Sequence, residues 1–81
     1  MSFTYILECA DNTYYIGSTN DLKRRLHEHN NSKSGAHYTK IRRPVVLRYK
    51  EEYKTLGEAR KREHVLKRLT REQKGKLIKS R

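Results

Sequence analysis

Four residues of one short stretch decide what chemistry this chain can carry. Leu22 and Leu26 stand four apart and define an apolar stripe, and Arg25 and His29 fall three and seven residues after Leu22. At about 100° per residue, all four lie within an arc of roughly 100° on one helix. A cation and an imidazole on the buried side of a helix cost several kcal/mol of desolvation unless something pairs with them. They are therefore expected to line the mouth of a site. Histidine has its ordinary pKa near 6.5, close to working pH, so His29 is a candidate for moving a proton. The plainer explanation is an arginine that snorkels to water and a histidine that only packs.

The elements that must position these side chains are legible on either side. Residues 2–9 are rich in β-branched and aromatic types, and residues 13–18 repeat that character after Asp11-Asn12, which predicts a hairpin. A two-residue loop would put Tyr5 and Tyr15 on opposite faces; the three-residue loop Asp11–Thr13 puts them together, and an odd loop or a bulge is expected. Gly17 then shares Tyr15's face, where its missing Cβ admits close approach. The first helix is expected from Asn20, as N-cap, to about Asn30. Residues 31–44 show no period and are expected to be a loop that touches phosphate. Pro44 precedes a third strand over residues 45–53, with Val45, Leu47 and Tyr49 on one face. Thr55 with Glu58 and Thr70 with Gln73 form capping boxes that start two helices, the second weakened by Gly75 and ending near Lys79. Glu58 is thereby engaged at its helix terminus, and Glu63 remains as a carboxylate on a packing face. A surface pair with Lys67 or Arg60 would also explain Glu63.

Composition bounds the function. The chain has 81 residues, expected to form one domain over 1–81, with a net charge of +11 and six tyrosines whose rings extend a small aliphatic core. Residues 1–20 contain no Lys or Arg, residues 21–43 contain seven and residues 60–81 contain ten. Two basic segments around a neutral sheet suit a polyanion, and without a long, bulky amphipathic face nucleic acid is favoured over membrane. Cys9 is alone, so neither a disulfide framework nor a cysteine zinc site is expected, and a reducing cytoplasm fits. No apolar run has the length of a signal or membrane span. His27 and His29, two apart on a helix, point to different sides and are not expected to share a metal.

Tyr5, the run Tyr15-Ile16-Gly17, Arg25, His29 and Glu63, in this order and spacing, resemble the GIY-YIG nuclease superfamily over nearly the whole chain, most of all its small stand-alone branch. Phe3-Thr4-Tyr5 stands where the family has Gly-Ile-Tyr, so only the tyrosine is retained there, and the late asparagine of some homing nucleases has no clear equivalent. The resemblance implies an α+β fold, a three-stranded antiparallel sheet flanked by three helices in the order β-β-α-β-α-α. It implies a metal-dependent endonuclease cutting phosphodiester bonds of DNA, as in repair or recombination. Tyr5, Tyr15, Arg25 and His29 would be catalytic, and Glu63 would hold one Mg²⁺ or Mn²⁺; the general base stays open among Tyr5, Tyr15 and His29. All five side chains are expected to converge. Lys23, Arg24, Lys33, Lys40, Arg42 and Arg43 are expected to bind nucleic acid, DNA rather than RNA. The rival expectation is a non-catalytic nucleic-acid-binding module on the same scaffold.

Overall fold

The alternation of residues 2–9 and 13–18 becomes a hairpin in the structure, a computed structural model that describes residues 1–31 and 37–80 and all their side chains but those of residues 37 and 38. Strand β1 (Ser2–Glu8) pairs antiparallel with β2 (Tyr14–Thr19), Tyr5 lying opposite Gly17 and Leu7 opposite Tyr15. Residues 9–13 turn the chain: the Cys9 N–H donates to the Thr13 carbonyl at 2.8 Å and the Asn12 N–H to the Cys9 carbonyl at 2.9 Å. Asn12 takes φ 67 in this turn, a left-handed conformation that asparagine tolerates better than most residues. The odd-loop parity is borne out, so Tyr5, Leu7, Tyr15 and Gly17 share one face, and Ile6, Ile16 and Ser18 the other.

Strand β3 (Val46–Tyr53) pairs antiparallel with β1, giving the order β2-β1-β3 with β1 in the centre. Here one expectation is corrected. Leu47 and Tyr49 do not share a face, because the register shifts: Leu7 lies opposite Leu47 while its neighbour Ile6 lies opposite Tyr49. Arg48 is the extra residue of a β-bulge, which turns Leu47 and Tyr49 to opposite sides. Its guanidinium reaches Glu8 at 2.8 Å.

Helix α1 (Leu22–Asn31) begins one residue later than expected. Asp21, not Asn20, is the N-cap: its Oδ1 accepts the Arg24 N–H at 3.1 Å, and the Thr19 hydroxyl oxygen accepts the Asp21 N–H at 3.1 Å. A single helical turn, α2 (His37–Lys40), lies within the stretch expected to be a loop. Helices α3 (Leu56–Lys67) and α4 (Arg71–Lys79) start at the two capping boxes, both of which are formed, and α4 runs through Gly75.

The helices take opposite faces of the sheet. Leu22 and Leu26 of α1 pack on Tyr5, Leu7, Cys9 and Val45. Leu66 of α3 packs on Ile6, Ile16 and Tyr49, with Leu69, Leu77 and Ile78 around it, and the Thr4 hydroxyl donates to the Ala59 carbonyl at 2.6 Å. The C-terminal end of α1 is held by the chain that leads into β3. Arg43 donates to the His29 carbonyl at 2.6 Å and to the Glu28 carbonyl at 3.1 Å, and the Asn30 amide brackets the Val45 backbone at 2.7 and 3.0 Å. These ties fix the turn of α1 that carries His29.

Candidate active site

On the α1 face, two residues meet that are 24 apart in sequence. The Tyr5 hydroxyl lies 2.9 Å from His29 Nε2, and His29 Nδ1 lies 2.8 Å from the Thr39 hydroxyl. Tyr5 and His29 are fully enclosed, at 1% and 0% exposure. The imidazole meets both tyrosine rings edge-on, with centroids 5.9 Å from Tyr5 and 5.1 Å from Tyr15. Arg25, one turn before His29, lies close enough to the Tyr5 hydroxyl for its charge to favour the phenolate, and reaches Glu28 at 3.1 Å. Gly17 makes the arrangement possible. A Cβ at Gly17 would lie 2.4 Å from the Tyr5 hydroxyl oxygen and 2.6 Å from Cζ, and a ring this enclosed has nowhere to move.

Burial, reinforced by the Arg25 charge, pushes His29 down to about 4, so the ring is neutral at pH 7. A neutral imidazole has one N–H and one acceptor nitrogen. Both ring nitrogens are satisfied together, either by the Tyr5 O–H donating to Nε2 while Nδ1–H donates to Thr39, or by Nε2–H donating to Tyr5 while the Thr39 O–H donates to Nδ1. Burial, helped by the neighbouring Tyr15, pushes the Tyr5 phenol up to about 12 against the pull of Arg25. Tyr5 thus keeps its proton at neutral pH.

Glu63 is placed differently from expectation. It belongs to α3, on the opposite face, so the five side chains do not converge on one side of the sheet. Its Oε1 accepts the Ser18 hydroxyl at 2.6 Å, and its Oε2 lies 2.7 Å from Lys67 Nζ. Burial works to raise its pKa, but the hydrogen bonds from Lys67 and Ser18 outweigh it and hold the carboxyl below its ordinary value. The two halves communicate around the edge strand β2. Glu63's charge is felt at the Tyr5 hydroxyl, and Lys67 and Tyr15 lie in each other's field. Between them the strand presents Gly17 on one face and Ser18 on the other, so no side chain at Gly17 walls off the edge.

The expected nucleic-acid contacts also divide. Lys23 and Arg24 stand exposed on α1, and Lys40 is half-buried. Arg42 lies 3.0 Å from Asp11, and Arg43 holds the C-terminal carbonyls of α1, so both guanidinium groups are engaged in the fold. Lys33 lies outside the described residues. Among the described residues no three His, Cys, Asp or Glu gather as a metal cage, and no helix is long and apolar enough to cross a membrane. Reasoning from sequence missed Ser18, Glu28 and Thr39, and met Lys67 only as a surface partner. Ser18 was within reach, since alternation from Gly17 sends it to the other face; Thr39 sits in an aperiodic stretch that gives no signal.

Residues 1–76 match the GIY-YIG catalytic domain family. A UPF0213 protein of Desulfotalea psychrophila is 47% identical over 78 residues, covering 96% of this chain and 71% of the relative. A UPF0213 protein of Staphylococcus epidermidis is 53% identical over 76 residues, covering 94% and 92%. The solution NMR structure of a UPF0213 protein from Bacillus halodurans superposes with TM-score 0.62 at 36% identity, covering 100% of this chain and 86% of that one. That of a protein from E. faecalis superposes with TM-score 0.65 at 41% identity, covering 99% and 85%. The β-β-α-β-α-α order around a three-stranded sheet, the retained Tyr15-Ile16-Gly17 strand and a match along nearly the whole length agree, and the chain belongs to the GIY-YIG family, beside the small single-domain UPF0213 proteins.

Proposed function

We propose that this protein is a metal-dependent endonuclease that cuts phosphodiester bonds in DNA, as repair or recombination requires. The observation that carries the proposal is the neutral His29, locked between Tyr5 and Thr39 beside the Arg25 cation, at an edge strand whose other face holds the ionised Glu63. A scissile phosphate along that edge would meet both halves. Arg25 would neutralise charge growing on the non-bridging oxygens. Tyr5, at 1% exposure, keeps its proton and positions His29 and Arg25. His29 is equally enclosed. Tyr15, half-buried on the edge strand, is the phenol an attacking water can reach, and the role of base is assigned to it.

Glu63 suits one Mg²⁺ or Mn²⁺, because a single ionised carboxylate is enough for an ion that keeps most of its waters. When bound, the ion stabilises the leaving oxygen and polarises the phosphate. Lys67 keeps the carboxylate ionised and supplies a cation at the same oxygen. Exposed Lys23 and Arg24 supply phosphate contacts indifferent to sequence. The pairing of Glu63 with both Ser18 and Lys67 favours a second reading, a nucleic-acid-binding module that does not cut.

Nicking of supercoiled and branched DNA, with and without Mg²⁺ or Mn²⁺, separates the two. Metal-dependent nicking, lost by about 100-fold or more in Arg25→Ala while binding persists, is expected. A wild type that nicks neither DNA nor RNA with either metal leaves the binding module.

A further inference from the structure

Beside the candidate site, the α1 face carries a second concave feature, a groove that Phe3 lines. Phe3 faces the same side as Tyr5 and is half-buried. A groove of about 480 Å³ lies between helix α1 and strands β1 and β3. Its walls are Phe3, Leu22, Leu26 and Leu47, and Lys23 and Lys50 stand at its rim. Lys50 Nζ hovers 5.9 Å above the Phe3 ring. Asp21, also at the rim, turns its carboxylate to its own helix, where it accepts the Arg24 N–H.

Apolar walls with a cationic rim are more than phosphate binding needs. Phosphate contacts fix a nucleic acid in place without apolar surface, whereas an unpaired base offers a flat π-face that stacks on an aromatic ring while its backbone runs past lysines. In a duplex those faces are covered by neighbouring bases. Resting on the nuclease reading above, we propose that the Phe3 groove takes one unpaired nucleobase, its flanking phosphates held by Lys23 and Lys50, so that the preferred ligand is single-stranded or frayed nucleic acid. Lys50 lies directly opposite Tyr5 across the β1–β3 pairing. Two strand spacings, about 10 Å, separate β3 from the edge strand β2. The groove thus lies on the same face of the sheet as Tyr5 and about 10 Å from the proposed point of cutting.

The test is binding without metal, so that cleavage plays no part. Fluorescence anisotropy in EDTA would compare a single-stranded oligonucleotide with the blunt duplex of the same length, for the wild type, Phe3→Ala and Phe3→Leu; the leucine variant keeps the apolar volume if alanine unfolds the domain. Tighter binding of the single strand is expected, weakened roughly 5- to 100-fold in the variants while duplex binding is unchanged. Equal affinity for both ligands, or variants that weaken neither or both alike, would overturn the groove and leave the nuclease reading standing. A wild type that binds neither ligand would overturn both.

Discussion

The two faces of this sheet each bury a polar network, and the networks differ in what they leave over. On the α3 face, Glu51 accepts from Arg62 at 2.8 and 3.2 Å, from the Tyr53 hydroxyl at 2.7 Å, and from the Tyr49 hydroxyl. Burial works to raise Glu51, but the hydrogen bonds from Arg62, Tyr49 and Tyr53 hold it below its ordinary pKa. Carboxylate and guanidinium cancel in charge, and the whole serves to fasten α3 to β3. On the α1 face, the histidine is kept uncharged and the Arg25 cation stands next to it rather than cancelling it. The first network balances a carboxylate against a guanidinium, and the second engages both nitrogens of a neutral imidazole with hydroxyl groups while Arg25, paired with Glu28, stands beside it. That difference is what the proposed function rests on.

The sharpest way to separate the faces is acid. Unfolded, His29 binds a proton below about 6.5, whereas in the fold it stays neutral down to about 4. The unfolded chain therefore binds more protons in this window, and stability falls as pH drops from 6.5 to 4, by an amount on the order of 3 kcal/mol. Glu51 acts later. Its folded pKa lies below the ordinary 4.5, so its contribution is present above 4.5 and is lost only as pH falls below that. Urea unfolding at a series of pH values should show two successive losses, the first absent in His29→Gln.

Next in size is Glu51→Gln, which leaves the Arg62 cation unmatched. With that side chain one-third exposed, the loss should be about 2 to 3 kcal/mol in denaturant unfolding, less than a fully buried pair would give. Binding to nucleic acid should not change. Gly17→Ala is expected to cost about 2 kcal/mol, because its methyl overlaps the Tyr5 hydroxyl. The smallest effect is expected from Lys67→Met, which removes the cation from Glu63 and should tighten Mn²⁺ binding a few-fold, measured by electron paramagnetic resonance.

Much of this was legible in the sequence, for reasons that are local. Thr55 and Thr70 announce their helices because a capping box is complete within four residues. The parity between Tyr5 and Tyr15 follows from the length of one loop. What escaped is non-local. Nothing near Leu47 and Tyr49 marks the bulge at Arg48, which exists to fit β3 against β1. Glu63 was correctly placed on a packing face, but which side of the sheet α3 takes is decided by Leu66 meeting Ile6 and Ile16. Arg42 and Arg43 look like phosphate ligands beside Lys40, yet backbone carbonyls and Asp11 reach them first.

The central claim is that Glu63 completes the α1-face network into a catalytic site from across the edge strand. Glu63→Gln keeps an acceptor for Ser18 and releases Lys67, already half-exposed, to water. Thermal unfolding and Mg²⁺-dependent plasmid nicking, measured on the same samples, test it directly. The account predicts a melting temperature within a few degrees of wild type, retained DNA binding and abolished nicking. A wild type that never nicks, together with a Gln variant destabilised by about 2 kcal/mol or more, would show Glu63 to be a structural partner and contradict the account.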